Sequence, residues 1–535
     1  MAVEEVSAQS EALEEASRLA KSPAPEAEPY KHLYAAREVL EKRREGLLGS
    51  TSEEGVRRKL VAQIETRLGE IALDVEEPHV AEGLLERALG VLAPGESADE
   101  RARNALSDEQ FAAEGARALA RAALLWDGRD QTQRALELLL AAERICDEIA
   151  TGELETSVLF YVAQAYGKLG DRALSAEYCR RTLLRQTSAM PEDWPRNAIG
   201  LAAYYVDAGR LASASGCAAS ALEVAPEDSD ARADAHIMLG RVLLAALETP
   251  DWAEDNPLEP LLPRRQEPPL SPARTYEEAR ALFLRARRHF GSARERYVLD
   301  GCVTEHVGIC RDESRLWAAM AKRDDDSRRV LAVCRRRAAI LEPLRAALNP
   351  NVYCDLRSVL AYELGDIYAF ALDVKDAGTQ PSTSRAKLVG CGKLRDLAVA
   401  AYDDFLKCCV RDLEPLASKA PRKRGAIPVA ELDADDLGPY LRASIYAARL
   451  TGQLFGEAGE DALERIKASL ERYVKCRQMA DDLFARRDLP PDFLKDELHL
   501  CDEMIALLPH KINQASHHHR DLSSSSTADE TRLLS

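Results

Sequence analysis

The chain has very little β-forming character: aromatic residues make up only 5% of it, and Ala, Leu, Glu and Arg dominate. Strand signals are nearly absent, and the composition favours helices. An excess of basic residues is also missing. The formal net charge is −18, so there is no cationic surplus to displace counterions from phosphates, and nucleic acid is disfavoured as a partner. Anionic membrane surfaces are disfavoured on the same ground. No apolar run of about 18 residues occurs that could span a bilayer. The first residues carry Glu4, Glu5, Glu11, Glu14 and Glu15 in place of a signal-peptide core. These absences predict a cytoplasmic protein with no membrane insertion. The 12 cysteines are scattered singly, apart from Cys408 and Cys409, and form no CxxC pair. Reduced, mostly buried thiols follow.

Catalytic signatures are missing as well. There is no GxGxxG, phosphate loop, HExxH or GxSxG. Gly390-Cys391-Gly392-Lys393 superficially resembles a phosphate loop, but it lacks the earlier glycine and the hydroxyl residue after the lysine. Cys302, His306 and Cys310 are spaced by four and share a helix face. One helix rarely supplies more than two ligands to a single zinc, so they read as a buried stripe. His517, His518 and His519 carry no assigned role. The expectation is a protein that is not an enzyme and takes no cofactor or metal.

The chain does contain successive segments with apolar residues at i, i+3, i+4 and i+7, broken by short Gly, Pro or Asp punctuation. The clearest helical hairpin begins at Leu159 with Val162, Ala163 and Tyr166, turns at Gly170-Asp171 and returns through Ala176, Tyr178 and Cys179. The pattern repeats with Leu201-Ala202, Tyr205, Gly209, Ala214, Ala221 and Pro226; Gly170 and Gly209 are 39 residues apart. A tetratricopeptide unit of about 34 residues has this logic. Small residues let two antiparallel helices approach, an aromatic fills the gap, glycine turns the chain and proline closes the unit. Weaker copies are centred on Leu68-Gly69 with Ala81 and Ala88, and on Trp126 with Ala135 and Ala142, both without the turn glycine. Leu364-Gly365 with Tyr368 marks a later first helix, and Ala462 and Ser469 have second-helix spacing.

These marks predict an all-α, tetratricopeptide-like right-handed α-solenoid in two lobes. The expected organisation is an N-terminal segment (1–29), an N-terminal lobe (30–248), a connector (249–274), a C-terminal lobe (275–516) and a disordered tail (517–535). The connector is read as extended and exposed because six prolines lie between Thr249 and Ser271. Irregular stretches are expected at Lys375 to Ser384 and at Ala417 to Asp436. The basic run Arg335-Arg336-Arg337 reads as a solvated or salt-bridged helix face.

Four stretches resemble the kinesin-binding protein family. They are EPYKHLYAAREVLEKRREGLLG (28–49), YVAQAYGKL with AEYCRRTLLRQ (161–186), EEARALFLRARRHFGSARERYVLDGCVTEHVGICRDESRLW (277–317) with its continuation to Pro350, and Glu503 to Lys511. The resemblance implies a helical solenoid that clasps kinesin motor domains and keeps them off microtubules, associated with the cytoskeleton. It implies partner contacts at Tyr161, Gln164 and Gln186. An acidic concave surface would suit the basic microtubule-facing side of a motor. Two departures accompany it: a family threonine position falls on Gly200, and the family's long inter-lobe helix is replaced by the proline-rich connector. The alternative is a general tetratricopeptide scaffold or co-chaperone recognising short peptides. Its carboxylate clamp would need Lys, Asn and Arg on inner faces, and Asn197 is the one obvious amide near the clear repeats.

Overall fold

The computed structural model describes residues 2–23, 28–50, 53–149, 151–254, 256–263, 267–377, 385–409, 434–486, 490 and 492–533. Among these the chain forms twenty α-helices and no strand. Consecutive helices pack as antiparallel hairpins, giving the helical-repeat solenoid that the periodicity predicts.

By its contacts the chain divides into two units, residues 1–227 with 254–269 and residues 228–253 with 270–535. In the first unit α1 (Ala2–Ala20), α2 (Lys31–Leu48), α3 (Glu54–Asp74) and α4 (Pro78–Leu92) share one apolar core. A second core joins α5 (Ala98–Leu106), α6 (Ala112–Asp127), α7 (Thr132–Glu148) and α8 (Glu153–Leu169). Next come α9 (Arg172–Arg185), α10 (Trp194–Asp207) and α11 (Leu211–Val224). The second unit opens with α12 (Asp230–Glu248), α13 (Tyr276–Arg296), α14 (Val303–Ala321) and α15 (Ser327–Ala347). It continues through α16 (Cys354–Asp376), α17 (Arg385–Cys409), α18 (Ala434–Thr451), α19 (Glu460–Arg486) and α20 (Lys495–Leu533).

The hairpins close where a small residue of one helix meets a bulky side chain of the next. A Cβ on Gly240 of α12 would stand 2.4 Å from the ring of Phe290, which is fully buried on α13. A Cβ on Gly365 of α16 would stand 2.6 Å from the Tyr402 ring of α17. Ala202, Ala214 and Ala221 are all fully buried, and Tyr205 is 2% exposed between them. Burial pushes the Tyr205 hydroxyl up to about 12. The two turn glycines take the left-handed backbone expected of them, Gly170 at φ 86° and Gly209 at φ 72°. In the copies lacking glycine, Glu76 (φ 61°) and Asp130 (φ 59°) adopt that conformation instead. The turn geometry is therefore conserved by the fold at some backbone cost rather than by the residue.

Several expectations about the organisation change. The segment ahead of residue 30 contains α1, whose Gln9 side chain donates to the Leu60 carbonyl of α3 at 3.1 Å, so it is part of the first core. Helix α12, expected in the N-terminal lobe, groups with the second unit because it packs on α13 and α14. The connector is not simply exposed: Leu261, Glu267, Leu270 and Ala273 are buried. Its prolines have no N–H to leave unsatisfied, and its leucines reach apolar surface. The tail expected to be disordered continues α20 as far as Leu533. Once a helix is nucleated by packing, each added residue costs little. Most of the Lys375 to Ser384 stretch lies outside the described residues, although α16 reaches Asp376, and so does Ala417 to Asp436 up to residue 433. In α15, Arg336 lies over the Trp317 ring at 4.7 Å and Arg337 donates to Ser314 Oγ at 3.1 Å, while Arg335 faces solvent.

Gly240→Ala is expected to lower the unfolding free energy by about 1–2 kcal/mol, because overpacking against Phe290 outweighs the gain in helix propensity. Gly200→Ala, where a Cβ meets nothing within 4 Å, is expected to raise it by about 0.5–1 kcal/mol. Urea denaturation of both variants tests this, and stabilisation by both would remove the close-approach argument.

Candidate protein-docking face

Helix α8 has three sides. Leu154, Val158, Val162 and Ala165 enter the core shared with α6 and α7, and Leu159 and Ala163 are buried on another side. The third side is a solvent-facing line at helical spacing, formed by Glu153, Ser157, Phe160, Gln164 and Lys168. Tyr161 lies on the rim between core and solvent, half-buried and packed against the same core. Its ring meets Phe160 edge-on, with centroids 5.4 Å apart and planes at 67°. Phe160 itself is 42% exposed. At the end of this line Lys168 Nζ reaches Asp127 of α6 at 2.7 Å, tying the last turns of the two helices together.

The adjoining side of α6 presents Glu114, Arg117, Arg121 and Leu124, all partly exposed. They interlock with α3. Arg67 pairs with Glu114 at 3.0 Å and with Glu70 at 3.5 Å; Arg117 lies 3.7 Å from Glu114, and Arg121 contacts Glu70. Burial pulls the Arg117 guanidinium below its usual value, and neighbouring Arg67 pulls in the same direction. Burial raises the Asp74 carboxyl above its usual value, against the opposing field of Arg121. Three arginines and three carboxylates thus share the seam, which is balanced in charge and not the acidic surface that the net charge suggests. Glu143 of α7 is structural: it accepts from Tyr178 Oη at 2.9 Å and from Arg181 Nη1 at 2.6 Å. Burial and this bond push the Tyr178 hydroxyl upward.

Of the three residues implicated by sequence, Tyr161 and Gln164 are brought together on α8. Gln186 is not with them. It caps the end of α9, where Arg185 pairs with Glu155 at 2.6 Å and so sets the end of α9 level with the first turn of α8. Glu155 and Gln164 are nine residues apart, about 14 Å along the helix axis. On α10, Arg196, Asn197 and Gly200 face solvent, and the space around Gly200 would admit a threonine side chain. Sequence reasoning missed Phe160, Arg117 and Arg121. Phe160 carried a usable signal, since it is a large apolar residue one position off the buried period of α8. Arg121 carried none, because its partner Glu70 lies on a different hairpin, and Arg117 only its i, i+3 spacing to Glu114. The imidazole of His306 bonds the Tyr297 carbonyl through Nδ1 at 2.8 Å, and among the described residues no three metal-ligating side chains converge.

Comparison with known proteins adds relatives. Residues 259–515 match the family described as KIF-1 binding protein C terminal. The KIF-binding protein of Gallus gallus is 26% identical over 582 residues, covering 92% of this chain and 94% of that one. The KIF-binding protein of Danio rerio is 26% identical, covering 73% and 74%, and that of Homo sapiens is 30% identical over 243 residues, covering 45% and 36%. A cryo-EM structure of KIFBP superposes with a TM-score of 0.61 at 19% identity, covering 96% of this chain and 99% of that one, which shows a shared fold.

If Phe160 is a solvent-facing aromatic, Phe160→Ala should change the unfolding free energy by no more than about 0.5 kcal/mol. Leu159→Ala, one position away at 1% exposure, should cost about 2–5 kcal/mol. Equal losses in chemical denaturation would place Phe160 in the core.

Proposed function

We propose that this chain, a relative of the KIF-binding proteins along nearly its whole length, binds kinesin motor domains and keeps them from attaching to microtubules. The observation that supports a docking role best is the line on α8, where Phe160 and Gln164 stand toward solvent beside half-buried Tyr161 on a helix whose other sides are buried. A rigid helix loses little entropy on binding, and exposed aromatics with an adjacent amide are the residue types that anchor protein interfaces. A partner helix laid along α8 would meet Ser157, Phe160, Tyr161 and Gln164 at i, i+3, i+4 and i+7 spacing.

Electrostatics enter through the partner. A motor surface that meets acidic tubulin is basic, and the net charge of −18 favours encounter with it at long range. The α3–α6 seam is balanced, so its arginines and carboxylates act as directional contacts and not as a uniform attractive field. The protein would act in the cytoplasm, where motors meet microtubules, as a binding adaptor whose effect is occlusion and requires no chemical step.

The test is co-sedimentation of kinesin motor domains with microtubules in the presence of this protein. Displacement of at least one motor from a broad panel is expected; a panel of which none is displaced would refute the proposal. The double variant Tyr161→Ala with Gln164→Ala should weaken motor binding tenfold or more, while circular dichroism stays unchanged. Raising salt from 50 to 300 mM should also loosen the complex, because the long-range attraction is screened.

A further inference from the structure

In the first unit the connector packs against α11. This helix is unusual in being buried on nearly every side, with Ser213, Ala214, Ser215, Gly216, Cys217, Ala218, Ala219 and Ser220 consecutively buried. One side is covered by the connector. Its main-chain N–H of Leu258 donates to Ser213 Oγ at 3.0 Å, and that of Leu262 donates to Ser220 Oγ at 3.0 Å. The two serines are seven residues apart, about 10.5 Å on a helix, and the two leucines are four apart, about 12 Å in an extended proline-containing chain. The spacings match, so α11 reads the main chain of the connector at two points independently of its side chains.

Two charged contacts flank this reading. The Glu254 carboxylate, 4% exposed, receives the Ala212 and Ser213 N–H groups at the start of α11 at 2.9 and 3.1 Å, contacts Ser213 Oγ, and pairs with Arg210 at 3.2 Å. It supplies the anion that the helix N-terminus favours. Arg180 of α9 is 9% exposed and donates through Nη2 to the Glu259 carbonyl at 2.8 Å. Its Nη1 is buried and has no hydrogen-bond partner among the described residues. Among the described residues the one hydrogen bond of Arg180 is to a main-chain carbonyl, which leaves the guanidinium under-satisfied.

We propose that the groove formed by α9 and α11 is a peptide-binding site for extended, proline-containing segments with an acidic residue four positions ahead of a leucine, and that the chain fills it with its own Glu254 and residues 256–263. A peptide in trans with an acidic residue at the position of Glu254 meets the same Ala212 and Ser213 N–H groups and Arg210 once the connector is out of the groove.

The experiment replaces residues 254–263 with a Gly-Ser linker of equal length and titrates the variant with a fluorescent synthetic peptide of residues 254–263, read by anisotropy. Saturable binding to the variant is expected, with binding to the unaltered chain at least tenfold weaker because its groove is filled. The peptide carrying Glu254→Gln should bind the variant at least tenfold more weakly. A folded variant that does not bind the peptide, or that binds both peptides alike, overturns the proposal. If the replacement does not fold, the full chain with Glu254→Gln takes its place. Hydrogen exchange at the Leu258 and Leu262 amides should then quicken at least tenfold and slow again on addition of the unaltered peptide. Exchange unchanged by either step overturns the proposal equally.

Discussion

The solenoid depends on helices coming close enough within each hairpin for one to seat a bulky side chain on a residue without one. Leu85 presses on Gly69, Phe290 on Gly240 and Tyr402 on Gly365. Each of these glycines follows a leucine on the first helix of its pair, so the same two-residue device recurs across more than half the chain. Its effect reaches beyond the contact. When the first helix is pinned along that line, the angle of its remaining sides is fixed, and the residues opposite are left facing solvent. The line of Ser157, Phe160 and Gln164 on α8 is a geometric consequence of Leu159, Val162 and Ala163 being buried.

Charge plays a different part. Ion pairs run between successive hairpins: Arg241 with Asp312 at 2.7 Å, Arg311 with Glu363 at 2.7 Å, and Arg472 held bidentate by Asp403 at 2.7 and 2.8 Å. Partly exposed pairs of this kind contribute on the order of 0–1 kcal/mol each, far less than the apolar burial between the same helices. Their value lies in register. A guanidinium that forks onto one carboxylate does so at one rotation of its helix, so the pairs select among packings that burial alone would leave nearly equal.

The hairpins α8–α9 and α10–α11 were legible because all their determinants are local: apolar period, small residues, and glycines where the chain must turn left-handed. The pairs α3–α4 and α6–α7 were only half legible. Their turns have the same geometry, but Glu76 and Asp130 supply it, and a non-glycine residue at positive φ leaves no mark in the sequence. The docking side was legible at Tyr161 and Gln164, which stand on one helix, and illegible at Arg121, whose partner Glu70 stands on α3 some fifty residues earlier. Gln186 shows the same limit from the other direction, since its distance from Tyr161 is decided by the pairing of Arg185 with Glu155.

The connector carries the limit furthest. Proline content predicts an irregular, exposed segment there, yet a segment without regular structure must find partners for its main chain. Those partners were already present in α11. Its serines and alanines lack the apolar stripe of an amphipathic helix, because nearly all its sides are covered. A helix made of small residues lets an irregular strand approach closely, and Ser213 and Ser220 supply the hydroxyls that its free N–H groups need. The two segments explain each other: the helix is small-sided where the connector crosses it, and the connector can lack regular structure because the helix satisfies it. Residues 254–269 are therefore part of the first unit's packing, although the helices before and after them belong to the second.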